Sequence, residues 1–168
     1  MTEQFPPTIE LLNKHHNRSG FLCGESLLDD YLRQYAKQDA KRRISRIFVA
    51  TFPGSRRVAG YYTLSATSFM KSDLPAQQAK KLPQYPVPAA IIGRLAVDQK
   101  WQGTGLGRFL LVDALDRILK ASMEVGVFAV IVDAKSETAK KFYEAYGFKA
   151  FGSQPLRLFL PLETLQAI

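Results

Sequence analysis

Six residues, Gln102-Gly103-Thr104-Gly105-Leu106-Gly107, have the types and spacing of an anion-binding loop. Glycine lets the backbone adopt positive φ and lets a ligand come close. Ahead of the loop, Ile91 to Val97 is rich in β-branched and aliphatic residues and reads as a buried strand, and Asp98 to Trp101 is a polar break. Behind it, Leu106, Leu110, Ala114, Leu115, Ile118 and Leu119 form an apolar stripe of helical period. Strand, glycine loop and helix N-terminus together suit a phosphate. The unpaired N–H groups of the first turn and the positive end of the helix dipole point at the same place. Arg108 stands just inside the helix.

Two common phosphate loops do not fit. A nucleoside-triphosphate loop needs G-x-x-x-x-G-K-[ST], and no lysine follows a glycine here in that register. The dinucleotide pattern G-x-G-x-x-G, begun at Gly103, ends on Arg108; begun at Gly105, it ends on Leu110. What fits is Q-x-x-G-x-G from Gln102 to Gly107, directly after L-A-V-D. This resembles the coenzyme A pyrophosphate loop of the GCN5-related N-acetyltransferases, the GNAT family. A tight strand-to-helix turn also needs glycines, so the second motif matters. Val127 to Asp133 reads as another strand, followed by A-K-S-E-T-A-K-K-F-Y-E-A-Y-G-F-K, whose F-Y-E-A-Y-G-F resembles the family's last helix and the strand after it. In the N-terminal half, F-L-C-G, L-L-D-D-Y-L-R-Q-Y-A-K-Q and G-Y-Y-T-L-S resemble one branch, the GNAT toxins of type II toxin–antitoxin pairs.

The resemblance implies an α/β (α+β) GNAT fold over residues 1–168: one domain with a central mixed sheet, splayed at the acetyl-CoA strand and flanked by helices. It implies acetyl-CoA as co-substrate, with Gln102, Gly103, Thr104, Gly105, Leu106, Gly107 and Arg108 at the pyrophosphate. Leu95, Ala96 and Val97 would lie along the pantetheine arm, and the Val97 amide is a candidate oxyanion donor. Tyr143 falls where many members place a general acid. On residue pattern alone it sits in an apolar helix stripe and would read as core. Ser136 stands where many relatives have a pantetheine-binding Asn, and is shorter. The toxin branch implies that aminoacyl-tRNA is the acceptor. It further implies a ribbon-helix-helix antitoxin as partner, operator DNA reached through that antitoxin, and a cytoplasmic setting. Relatives are often dimers. The competing expectations are a family member acting on a protein N-terminus, polyamine or other small amine, and a non-catalytic basic RNA-binding module.

No general base is evident. Asp98 and Asp133 end the two central strands and either face a cleft or cap a loop. The acceptor's own chemistry bears on this. A lysine ammonium, with pKa about 10.4, needs help to deprotonate, whereas an α-amine starts near 8. The ester of an aminoacyl-tRNA lowers the latter further, so water suffices to take its proton.

The chain has 168 residues, 46% hydrophobic and 23% charged, ordinary for a globular domain. It has no apolar run long enough to span a membrane. Its first ten residues lack the basic and apolar regions of a signal peptide. The lone Cys23 excludes an internal disulfide and reads as a small buried residue. His15 and His16 are adjacent with no third ligand spaced to join them, so they read as exposed loop residues and no metal is expected. The net charge of +8 favours polyanionic partners. It concentrates in Arg33, Lys37, Lys41, Arg42, Arg43 and Arg46, with Arg56 and Arg57 beyond, against only Asp39. A solvated face is the usual explanation of such a run; with the toxin-like pattern it reads as a footprint for an RNA backbone.

The remaining elements follow from pattern. A first strand is expected at Thr8 to Leu12, and a helix enters near Ser26 and buries Leu27, Leu28, Tyr31, Leu32, Tyr35 and Ala36. A hairpin joins Ile47–Thr51 to Val58–Ser68 through Pro53-Gly54-Ser55. Phe69 to Pro88 is a proline-broken connection with room for a short helix. Ser136 opens the last long helix, with Gly147 past its end, and Phe148–Phe151 and Leu156–Leu160 are closing strands.

Overall fold

The structure is a computed structural model, and it describes residues 6–166. The signal-peptide reading rests in part on residues 1–5, which lie outside the described residues. In chain order the elements are β1 (Thr8–Leu11), α1 (Ser26–Asp30), a π-helical turn (Tyr31–Tyr35), α2 (Ala36–Lys41), β2 (Arg46–Thr51) and β3 (Gly60–Phe69). After a 3-10 turn (Lys71–Asp73) come α3 (Ala76–Ala79) and β4 (Val87–Val97), then a second 3-10 turn (Gln99–Trp101) and α4 (Leu106–Ala121). The chain continues with β5 (Ala129–Asp133), α5 (Glu137–Glu144), β6 (Lys149–Ala150), β7 (Arg157–Pro161) and α6 (Leu162–Gln166). The strands form one seven-stranded mixed sheet in the order β1-β2-β3-β4-β5-β7-β6. No described helix is long and apolar enough to cross a membrane.

Packing divides the chain into two compact units. One runs to Ser65 and takes in Arg94–Asp116. Its strands β1, β2 and β3 pair antiparallel, with Thr8 opposite Thr51 and Phe48 opposite Tyr62. Its core gathers Phe21, Tyr31, Leu32, Ala36, Ile47, Val49, Val58, Tyr61 and Ala96. Helix α4 approaches β3 closely at Gly60: a methyl group there would stand 2.9 Å from Leu110 Cδ1 and 3.1 Å from the Ala96 carbonyl oxygen. The predicted stripe on α4 is the observed one, with Leu106, Leu110, Ala114, Leu115 and Ile118 buried and Leu119 half-buried. Leu111, outside that stripe, is buried as well.

The second unit comprises Ala66–Gly93 and the chain from Arg117 onward. In it β4 and β5 run parallel, in register from Ala89–Ala129 to Ile92–Val132, while β4 itself runs on to Val97. Strand β5 pairs antiparallel with β7, and β7 with β6. Phe69, Val87, Ala89, Ile131, Phe151 and Phe159 form its core. The closing strand expected at Phe148–Phe151 is reduced to Lys149–Ala150, the two residues that pair with Phe159 and Leu158 of β7.

The N-terminal helix departs most from expectation. Leu27 is 84% exposed and Tyr35 is 54% exposed, whereas Tyr31, Leu32 and Ala36 are buried. At Tyr35 the cause is the π turn. The Ala36 N–H bonds back to the Tyr31 carbonyl, five residues earlier. One extra residue in the turn brings Ala36, rather than Tyr35, back to the face of Tyr31. Leu27 lies off the stripe of Leu28, Tyr31, Leu32 and Ala36. The cap is Glu25, without a side-chain bond, and Ser26 is the first helical residue.

Candidate active site

Asp98 builds the entrance to the glycine loop. Its carboxylate is 2% exposed and accepts the Leu22 N–H at 3.0 Å through one oxygen and the Lys100 N–H at 3.0 Å through the other. The Arg57 guanidinium lies 3.6 Å from it. Asp98 thus caps the 3-10 turn and ties down an earlier loop, and it is no base. Gln102 follows. Its side-chain Nε2 donates to the Val97 and Cys23 carbonyls, both at 2.8 Å. The glutamine of the Q-x-x-G-x-G pattern therefore fastens the loop to the end of β4. Thr104 Oγ1 donates to the Trp101 carbonyl at 2.5 Å. Trp101 is buried between Phe52 and two cations, Arg57 and Lys100, over its ring.

Between these fastenings the backbone turns sharply. Gly103 has φ +80° and Gly105 φ +93°, and a Cβ built at either would meet nothing within 4 Å. Both positions need glycine for conformation, and both open onto space that a ligand can fill. The α4 ladder begins with the Phe109 N–H bonding to the Gly105 carbonyl at 3.1 Å, so the Leu106, Gly107 and Arg108 N–H groups lie ahead of it. The Leu106 side chain is fully buried, which leaves only its backbone to face a ligand. Arg108 is exposed and lines a shallow pocket with Gly105, Phe109, Val112, Asp113 and Asp116, the two carboxylates lying one and two turns further along the helix. Positive-φ glycines, a 16-residue helix beginning at the loop and an exposed guanidinium fit a diphosphate. On the strand before the loop, Ala96 is buried, and Leu95 and Val97 are half-buried.

Tyr143 lies in the other unit, on α5. Ser136 caps this helix by accepting the Ala139 N–H at 3.2 Å. Tyr143 is 5% exposed and meets Phe142 and Phe148 edge-on, with ring centroids 5.2 and 5.6 Å away. Burial pushes its phenol well above the ordinary value near 10, and the Asp133 charge adds to the shift. Tyr143 is therefore neutral and holds its proton at any physiological pH. Asp133 itself takes a two-point bond from Arg157, at 2.8 and 3.2 Å, which raises the guanidinium's pKa. Tyr146 is half-buried against Phe142.

The predicted basic residues lie together in the first unit, but in two states. Arg33 is half-buried and donates to the Phe21 carbonyl at 2.7 Å and to Asp30 at 3.2 Å, so it braces the helix. Lys37, Lys41, Arg42, Arg43 and Arg46 are exposed. Arg43 has φ +61°, the left-handed value usual for a residue just past a helix end. The sequence reading missed two groups. Lys14, His16 and Arg18 line one pocket with Lys37 and Ala40. His16 is not the exposed loop residue expected, for its Nδ1 accepts the Asn13 N–H and its Nε2 meets Glu10 at 2.9 Å. Arg94, on β4, lays its guanidinium 3.5 Å over the Tyr31 ring. The one signal for Arg94 was a lone cation inside an apolar strand.

Residues 88–158 match the family model described as an acetyltransferase (GNAT) domain. A tRNA-acetylating toxin of Mycobacterium tuberculosis is 38% identical over 150 residues, covering 89% of each chain. A tyrosine-to-phenylalanine mutant of KacT superposes with a TM-score of 0.90 at 32% identity, covering 96% of this chain and 98% of that one. AtaT complexed with acetyl-methionyl-tRNAfMet does so at 0.89 and 31%, with the same coverage. The same relatives are also solved as AtaTR bound with acetyl-CoA (TM-score 0.84, 31% identity) and as a KacTA–DNA complex (0.80, 30%).

Proposed function

This chain belongs to the GNAT acetyltransferases, and on that premise we propose that it transfers acetyl from acetyl-CoA to the α-amino group of aminoacyl-tRNA and so blocks translation. One observation carries the reading. A single unit holds both a glycine loop open to an anion and five exposed cations, Lys37, Lys41, Arg42, Arg43 and Arg46. A donor with a pyrophosphate needs the first and a polynucleotide acceptor needs the second. The relative solved with acetyl-methionyl-tRNAfMet supports the choice of acceptor.

Acetyl-CoA supplies an activated thioester. The N–H groups from Gln102 to Arg108 hold its pyrophosphate, and Leu95, Ala96 and Val97 line the pantetheine arm, with Ser136 as a further contact. The Val97 N–H donates to the oxyanion that forms when the amine attacks; such a donor is worth roughly 3–4 kcal/mol in the barrier. Tyr143 donates to the departing sulfur. A phenol of pKa above 10 cannot give its proton outright to a thiolate near 8.5 without a cost of roughly 2 kcal/mol or more. Tyr143 therefore acts as a donor that shares its proton as the C–S bond breaks, while the amine's own proton passes to water. The α-amine needs no protein base, in keeping with Asp98 acting as a cap and Asp133 paired to Arg157.

The partners follow from the same reading. A small antitoxin of the ribbon-helix-helix type covers the toxin and carries it to operator DNA, the toxin is a homodimer, and the setting is cytoplasmic. Residues 1–168 act as one acetyltransferase domain. The test is labelled acetyl-CoA with bulk charged tRNA, wild type beside Tyr143→Phe. Label is expected in aminoacyl-tRNA with the wild type and to be largely lost with the variant. Unlabelled tRNA beside an acetylated peptide or polyamine would sink the acceptor assignment.

A further inference from the structure

We propose that Tyr35 is a stacking platform for an unpaired base at the 3′ end of the acceptor RNA, an inference that rests on the function proposed above. Tyr35 occupies a position that a regular helix would bury, and the π turn at Tyr31–Tyr35 swings it out to 54% exposure. Such turns are frequent at functional sites. The ring is not loose. It stacks on Tyr31 at 6.5 Å and 26°. Tyr31 is fixed in turn by its hydroxyl, which donates to Asp39 at 2.7 Å, by the Arg94 guanidinium over its ring, and by stacking on Tyr61 at 6.5 Å and 13°. A rigid aromatic face half in water is what single-stranded nucleic acid recognition uses, because every base has a π-face.

Two further observations choose the occupant. The exposed cations Lys37, Lys41, Arg42, Arg43 and Arg46 follow Tyr35 in the chain, so charge complementarity favours a phosphate backbone beside the ring. Arg94 immediately precedes Leu95 on β4. The row Arg94, Tyr31, Tyr35 thus leads from the strand assigned to the acetyl donor out to the basic face. An aminoacyl-tRNA must thread its unpaired 3′ end along such a path, with its paired stem left on the cations.

The experiment measures equilibrium binding of wild type, Tyr35→Ala and Tyr35→Phe to uncharged tRNA, intact or trimmed of its unpaired 3′ end. Tyr35→Ala is expected to weaken intact tRNA by roughly five- to 150-fold, the range for one stacked base. It should leave the trimmed RNA unchanged, and Tyr35→Phe should bind like wild type. Equal loss on both RNAs, or loss on neither, overturns the proposal. Failure of the functional reading looks different: the wild type would then bind neither RNA. Melting curves of the three proteins check that each variant keeps its fold, so that a loss confined to intact tRNA is read as lost stacking.

Discussion

The glycine loop and Tyr143 use opposite parts of the chain. At Gly103 and Gly105 the side chain is absent, the backbone is exposed, and φ is the property that matters. At Tyr143 the backbone is ordinary helix and the chemistry lies in one hydroxyl, whose proton is held by burial among Phe142 and Phe148. In the function proposed above, the loop offers an anion the N–H groups ahead of the α4 ladder, and the side chains of Asp98, Gln102 and Thr104 act only by holding that backbone in place. The dry surroundings of the phenol keep it protonated, so in the proposed mechanism it acts as a hydrogen-bond donor. Substitutions should therefore act on binding at the first region and on turnover at the second.

The largest expected effect is at the second. Tyr143→Phe removes one oxygen from an aromatic pocket and should lower turnover by roughly a hundredfold or more. The affinity for acetyl-CoA, measured by calorimetry, should stay within about twofold. A variant that loses affinity and keeps turnover would invert the division. Next comes Gly105→Ala, which forces a left-handed conformation at a cost of about 1–2 kcal/mol. It should raise the Kd for acetyl-CoA about tenfold, with kcat changed far less. Unaltered affinity would remove this loop as the pyrophosphate site.

Arg43→Gly separates charge from conformation on the basic face. Glycine suits φ +61° better than arginine does, so the melting temperature should hold or rise slightly. Binding to tRNA should nonetheless weaken severalfold, with a shallower salt dependence. Wild-type affinity in that variant would make Arg43 a mere helix terminator.

The smallest effect is in pH. Tyr143 has a folded pKa raised above its unfolded value, so it remains an acid well past pH 10. The rate should rise as the amine loses its proton and then stay level to about pH 10, with no alkaline fall from this group. Stability follows the same sign. Burial, helped by the Asp39 bond, lifts Tyr31 to about 12, and burial raises Tyr61 and Tyr143 further. Above about pH 10 the unfolded chain sheds phenol protons that the native state keeps. Their contribution is complete below pH 10 and is lost as pH rises toward 12 and beyond. Denaturant midpoints at pH 8 and 10.5 would show it, and Tyr143→Phe should lessen the drop.

Local pattern was enough where one element keeps one period. The α4 stripe from Leu106 to Ile118 is helical throughout and buries as expected, and the Gly103–Gly105 turn is dictated by residues that alone accept those φ values. Pattern misled where the period changes. From Leu27 to Ala36 a regular helix and one with a π turn share the same residues, and only the packing of Leu32 and Ala36 into the core selects the second. Arg33 read as one cation among six, and its bonds to Phe21 and Asp30 come from a distant loop and the preceding turn.

By itself the sequence determined the order of the strands and of the longer helices, the glycine loop, the charge excess and the presence of a tyrosine at a helix end. These depend on neighbours along the chain: periodicity, the steric freedom of glycine, and formal charge. The tertiary structure decided that Asp98 is a cap, that Gln102 holds the loop to Val97 and Cys23, and that Arg94 covers Tyr31 while Tyr35 turns outward. Each depends on residues brought together from separate elements. A carboxylate, an amide or a ring acquires its role from the partner that folding places beside it.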